Sequence, residues 1–241
     1  MSTIRLIGAA LALAVLSGCA SAPGRTVDAR DPWEGMNRSV YSFNDTVDRV
    51  ALKPLAKAYV NVVPSPVRTG VNNFFGNLGD VWNATNSVLQ FKGQAAVESA
   101  MRVVINTTFG LGGLLDVATE MRLPKHKEDF GQTLGYWGVP SGPYLVLPLL
   151  GPSTVRDTAA LPLDMKANLV GQVSDVPTRN SLSVLQVTDK RAGLLQATDA
   201  LTDAALDPYS FVRDAFLQKR RNDVYDGNPP SSFDYSDPDL Q

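Results

Sequence analysis

Reactive side chains are scarce in this 241-residue chain, which has a single cysteine, Cys19, and a single histidine, His126. One cysteine excludes an internal disulfide, and the pair cannot assemble a zinc site of the usual cysteine and histidine type. No Gly-x-Ser-x-Gly elbow is present, so a Ser-His-Asp hydrolase has no frame for its nucleophile. His126 reads as a solvated residue of the charged connection Glu120 to Asp129. Gly110, Gly112 and Gly113 do not form the dinucleotide-binding Gly-x-Gly-x-x-Gly spacing, and Asp45 and Asp48 read as a solvated helix surface rather than a catalytic pair. Charge is sparse as well: Asp, Glu, Lys and Arg make up 19% of the chain, against roughly 25% in ordinary soluble domains. A formal charge of -2 and a pI near 5.4 supply no basic face for nucleic acid. Yet 44% hydrophobic residues and a mean hydropathy of -0.06 fall short of an integral membrane protein. The composition stands between the two classes.

The N-terminus is the most specific local feature. Arg5 precedes the apolar run Leu6 to Leu16, which is too short to span a bilayer, and Leu16-Ser-Gly-Cys19 follows. This pattern predicts a bacterial export signal over residues 1–18 that ends in a lipobox, with Cys19 as the site of lipid attachment. Loss of Arg5 with the signal leaves a formal charge of -3. Ala20 stands where an aspartate would retain a lipoprotein at the inner membrane, so the expected destination is the outer membrane. Residues 19–30 read as a polar, lipidated tether.

From Met36 onward helical periodicity dominates. Met36, Val40, Phe43, Val47 and Val50 share one face of a helix over roughly 36 to 52. Pro54 then kinks it or opens a second helix through Val62, and Pro64-Ser65-Pro66 restarts another, with Ser65 as its expected cap. From Val67 to Phe91 the apolar face is opposed by Asn72, Asn73, Asn77, Asn83, Asn86 and Gln90, where an ordinary water-facing helix would carry lysine and glutamate. The only charges between Thr69 and Leu115 are Asp80, Lys92, Glu98 and Arg102. Residues Val103 to Leu115 carry none, and a helix of that length rises only ~20 Å, short of a hydrocarbon core of roughly 30 Å. The glycines at 110, 112 and 113 are expected to act as a hinge, ending one helix near Phe109 before a short helix from about Leu114.

A second uncharged run, Phe130 to Val155, holds Pro140, Pro143, Pro148 and Pro152 with five glycines. No continuous helix fits there, a central strand is disfavoured, and such backbone must pack on protein, line a cavity or lie at headgroup level. Ser153 is an expected cap of a helix toward Leu161, Val176-Pro-Thr178 opens another, and Asp207-Pro208 begins a last one. Residues 222–241 read as a disordered acidic tail. The class is mainly α, with no spanning helix.

Six blocks in order resemble the MlaA family, also called VacJ, of outer-membrane phospholipid-transport lipoproteins. They are Asp31-Pro-Trp-Glu-Gly-Met-Asn-Arg-Ser-Val-Tyr-Ser-Phe-Asn44, Asn106 to Ala118, Phe130 to Val139, Gly142 to Pro148, Gly151 to Asp157 and Asp207-Pro-Tyr209. The resemblance implies a ring-shaped single domain over residues 31–221, made of amphipathic helices lying in the periplasmic leaflet of a Gram-negative outer membrane. It further implies a channel that passes misplaced phospholipids from the outer leaflet to a periplasmic phospholipid carrier, maintaining lipid asymmetry, with a trimeric porin as neighbour. No cofactor is expected beyond the lipid on Cys19 and the transported phospholipid, and nucleic acid is not an expected partner. The asparagine face, Asn72, Asn73, Asn77, Asn83 and Asn86, is a candidate channel lining; its alternative is hydrogen bonding between helices. Phe43 and Asn44 are candidates for gating or shaping the channel. A structural lipoprotein that braces the outer membrane or a porin is the competing reading, and an enzyme is disfavoured by the missing constellation.

Overall fold

The computed structural model describes residues 28–230. The signal peptide, Cys19 and most of the tether, and residues 231–241 of the acidic tail, lie outside the described residues.

The chain opens with α1, Glu34–Val47, which passes without a break into a π-helical turn, Asp48–Leu52, and α2, Lys53–Val62. Pro54 explains the π turn. Proline has no amide hydrogen and its ring clashes with the carbonyl one turn earlier, and widening the helix just ahead of it relieves the clash. The amide of Lys53 accordingly donates to Asp48, five residues back. After Pro64 comes α3, Ser65–Leu89, its first residue being Ser65 itself and not a residue capped by it. Next are α4, Gly93–Thr108, the short α5, Val117–Glu120, and α6, Phe130–Tyr136.

The proline-rich run, for which neither a continuous helix nor a central strand was expected, turns after α6 into an element the sequence did not announce. It forms a two-stranded antiparallel hairpin, β1 Tyr144–Leu147 with β2 Gly151–Thr154. Pro152 is tolerated because each strand has only one neighbour. The hairpin leads into α7, Val155–Ala167, capped by Thr154 rather than Ser153 through a bond from the Asp157 amide. A 3-10 turn, Leu169–Gln172, precedes α8, Val176–Gly193, α9, Leu195–Ala204, and α10, Pro208–Val224. That last helix runs three residues past the expected start of the tail. Asp207 does not cap it by side chain, because its carboxylate is held by Arg38 and Ser210.

Packing runs round in a closed circuit. Helix α1 lies on β1, β2 on α7, α7 and α8 on the 3-10 turn between them, α8 on α2, and α2 returns to α1 through the π turn. A bidentate Arg191 to Asp48 pair closes the circuit from α8, so Asp48 is not the solvated residue its position suggested. On one side of the circuit a compact core forms from Tyr144, Val146 and Tyr209, with Val40, Tyr41, Phe216 and Leu217 against it.

Elsewhere the usual arrangement is inverted. The α3 and α4 hairpin buries Asn77, Asp80, Asn86, Ser99, Arg102 and Asn106. Its apolar side chains point outward: Val97, Met101 and Val104 are 58%, 45% and 63% exposed, while Arg102 between them is 1% exposed. Phe109, Leu111 and Leu115 continue this face. In water such an exposed stripe is costly. In hydrocarbon it is the stable outcome, since polar groups must then find their partners between helices. No helix among the described residues is long and apolar enough to cross a membrane.

Candidate functional site

The inward face of α3 meets the end of α7, the 3-10 turn and α8 around a cavity of about 430 Å³. Phe75, Leu78, Trp82 and Leu169 give it apolar wall, while Asn72, Asn83, Asp164 and Asp189 give it polar wall. Lys125, Lys127 and Lys190 also line it. Asp164 accepts from the Trp82 indole at 2.8 Å and from the Phe130 amide at 2.9 Å. Burial pushes its carboxyl above the ordinary range, and these two bonds pull the other way. Asp189 accepts from Tyr59 at 3.2 Å and from Asn72 at 3.0 Å, which ties α8 to α2 and α3. A second depression, of about 370 Å³, shares Asn83 and Lys127 with the first and runs toward Lys219, Arg220 and Asp223 on α10. Together they offer an amphipathic route from an apolar-walled cavity to a charged surface.

The asparagines selected from the sequence divide between two settings. Asn72 and Asn83 line the cavity, with Asn83 spanning Asp80, the His126 carbonyl and the Glu128 amide. Asn77 and Asn86 are buried in the fold, bonded to Thr107, and to Trp82 and Thr133. Asn73 donates to the Leu114 carbonyl.

Phe43 is exposed at the end of α1, while Asn44 is engaged by the hairpin. Its amide donates to the Leu147 carbonyl at 2.9 Å and its oxygen accepts from the Leu149 amide at 2.7 Å. One helical heptad earlier, Asn37 does the same to the Tyr144 carbonyl and the Val146 amide. Seven helical residues rise ~10.5 Å and three strand residues ~10 Å, so two asparagine amides on one helix face fit the strand edge like ladder partners. Asn37 is wholly buried and also donates to buried Asp31. We therefore expect Asn37→Ala to lower stability by about 2–3 kcal/mol, because three buried groups lose a partner, and Asn44→Ala by about 1 kcal/mol. Hydrogen exchange should show faster opening at Val146 in the first variant and at Leu149 alone in the second.

The glycine segment is a tight turn. Helix α4 stops at Thr108, and the amides of Gly112 and Gly113 donate back to the Thr107 and Asn106 carbonyls. Gly113 has φ +95°, and a Cβ there would lie 2.7 Å from the Asn77 amide nitrogen. The helix that follows begins at Val117, three residues later than expected, because Asp116 caps it. His126 is not free in solvent: its Nε2 lies 2.6 Å from Glu98 on α4. Nor does its loop belong to water throughout, since Glu128 is buried against Gln90 and Lys92, and Asp129 caps α6. Arg220 holds Asp129 and Asp157 together with four bonds of 2.6 to 2.9 Å. Burial raises the Asp129 carboxyl, but Arg220 outweighs it and holds the group below its ordinary value.

An amphipathic cavity in a helical shell that is apolar outside, ionic inside and without a spanning helix among its described residues defines a membrane-associated helical protein. More particularly, the chain belongs to the MlaA lipoprotein family, whose model matches residues 29–223. It is 36% identical over 223 residues to the intermembrane phospholipid transport system lipoprotein MlaA of Escherichia coli (strain K12), covering 90% of this chain and 87% of that one. The protein of the same description from Haemophilus influenzae is 32% identical over 234 residues, covering 94% and 93%. A solved structure described as "Structural basis for maintenance of bacterial outer membrane lipid asymmetry" superposes with a TM-score of 0.70 at 33% identity, over 82% of this chain and 99% of that one.

Proposed function

We propose that this protein is the outer-membrane lipoprotein of an intermembrane phospholipid transport system and that the cavity between α3, α7 and α8 is its lipid passage. The observation that carries this reading is the mixed lining of the cavity inside a shell with an inverted distribution of polarity. An acyl chain finds Phe75, Leu78 and Trp82, and a headgroup finds Asn72 and Asn83. The family supports it, because relatives named for phospholipid transport align over nearly the whole chain. Transport needs no bond making, so the function asks for no catalytic constellation.

The finer parts of the reading follow from physical fit. A multiply acylated Cys19 would hold the chain to the periplasmic leaflet, where each buried methylene contributes ~0.8 kcal/mol. Helix α4, of 16 residues, rises ~24 Å and lies within a bilayer without crossing its hydrocarbon core of roughly 30 Å. The exposed aromatic group of Phe91, Tyr136 and Trp137, beside Lys92, has the composition of a headgroup-level belt. Phospholipid misplaced in the outer leaflet would enter on the membrane side and leave toward a periplasmic carrier, with a trimeric porin as the supporting neighbour. In a strain lacking the gene, we expect phospholipid to accumulate in the outer leaflet, reversed by the intact gene and not by Cys19→Ala. Normal outer-leaflet composition in the deletion strain would instead favour a bracing role.

A further inference from the structure

We propose that Lys125, Lys127 and Lys190 seat a phosphodiester headgroup at the mouth of the cavity and give the passage a preference for net-anionic phospholipids. This rests on the reading of the chain as a phospholipid conduit. The arginines that tie the helices together are matched: Arg38 with Glu34 and Asp207, Arg102 with Asp80 and Asp116, Arg191 with Asp48, Arg220 with Asp129 and Asp157. The three lysines around the cavity have no ion pair among the described residues, and their ammonium groups make no hydrogen bond there.

Lys125 is placed by a feature of the helix it faces. A Cβ at Gly76 on α3 would stand 2.5 Å from the Lys125 Nζ, so the ammonium lies against backbone in space that only glycine leaves open. Gly76 is itself part of the cavity wall. The two carboxylates that face the same cavity are already in use by neutral donors, Asp164 by Trp82 and Phe130, and Asp189 by Tyr59 and Asn72. Lys125 also acts on buried Asp80, a carboxylate already shared with Arg102, so the three lysines still outnumber the two carboxylates that line the cavity, in a chain whose net charge is -2.

A phosphodiester is the anion that every diacyl glycerophospholipid esterified to a headgroup alcohol brings to such a site, and an ammonium meets it with a charge-assisted hydrogen bond. A zwitterionic headgroup brings a cation of its own, which the surplus repels; a glycerol headgroup does not. All three lysines are solvent-exposed, so each contact is screened and reversible, as a passage that must release its cargo requires.

The test uses the full-length lipidated protein in detergent and labelled phosphatidylglycerol and phosphatidylethanolamine with identical acyl chains. The wild type should bind phosphatidylglycerol several-fold more tightly, and the preference should fall as salt rises. Each of Lys125→Gln, Lys127→Gln and Lys190→Gln should weaken phosphatidylglycerol binding by about threefold and leave phosphatidylethanolamine nearly unchanged. Gly76→Ala keeps every charge but pushes the Lys125 ammonium aside, so it should weaken phosphatidylglycerol binding less than Lys125→Gln does, while melting no lower than wild type. Equal affinity for the two lipids, or a triple glutamine variant that binds phosphatidylglycerol like wild type, would overturn the headgroup site and leave the conduit standing. Binding of neither lipid would overturn both. Inorganic phosphate that binds as tightly as the lipid would reassign the site to free anion and overturn the lipid preference.

Discussion

Arg102→Ala is expected to lower stability by about 3–5 kcal/mol at neutral pH, the range for removing one partner of a buried ion cluster. Arg102 is the hub of the α3 and α4 pair. Its Nη2 donates to both carboxylate oxygens of Asp116 at 2.8 and 2.9 Å, its Nε reaches Asp80 at 3.3 Å, and its Nη1 donates to Thr119 and the Leu123 carbonyl. Asp80 is 1% exposed, and burial pushes its carboxyl above the ordinary range even with Lys125, Asn83 and Arg102 acting against it. Without the guanidinium that burial is opposed by less. A raised folded-state pKa means that stability is greatest below the unfolded value and is lost as pH rises through the folded one. The deficit of the variant should therefore shrink as pH falls into the carboxylate range and Asp80 takes up a proton. Arg102→Lys keeps the charge but loses the fork, so it should fall between the two. Urea denaturation of the detergent-solubilised protein, followed by helical circular dichroism at neutral and acidic pH, checks both the size and the sign.

That cluster also marks where the sequence was legible and where it was not. The helices around Met36, Val67, Val176 and Asp207 followed from local periodicity and capping chemistry, which act within a few residues. The four lone charges between Thr69 and Leu115 were visible as a depletion, but all four found partners only through tertiary packing: Asp80 and Arg102 meet each other across the α3 and α4 pair, Asp116 joins Arg102, Glu128 meets Lys92 and His126 hydrogen-bonds Glu98. The hairpin was missed because its strands are too short and proline-rich to show alternation, and because its partner is a helix. Asn37 and Asn44 supply hydrogen bonds to β1 that a third strand would supply elsewhere, and nothing in a local pattern announces this.

The candidate site was legible in half. An uncharged, hydrogen-bonding face on α3 was apparent, and Asn72 and Asn83 do line the cavity. Which asparagines face it and which bond within the fold depends on where α4 and α6 pack, and periodicity on α3 alone cannot decide that. Lys125, Lys127, Lys190, Asp164 and Asp189 were not singled out. They come from the 124–129 loop, α7 and α8, and only tertiary packing brings them to one place. The signal available was slight: the lysines of Pro124-Lys-His-Lys127 stand between two long uncharged runs.

Gly79→Trp tests the central claim with the largest functional effect. Gly79 lines the cavity on an inward turn of α3, and a Cβ built there meets nothing within 4 Å. A large side chain at that position enters the cavity without displacing backbone. Glycine inside a helix costs roughly 0.5–1 kcal/mol relative to alanine, so substitution need not weaken the fold. Gly79→Ala adds a methyl group and leaves the passage open. The measurement is outer-leaflet phospholipid in a deletion strain that carries wild type, Gly79→Ala or Gly79→Trp, each shown to be expressed and to melt normally. The account predicts low outer-leaflet phospholipid with the first two and the deletion level with Gly79→Trp. A correctly folded Gly79→Trp protein that clears outer-leaflet phospholipid as wild type does would contradict it, because lipid would then be passing by another route.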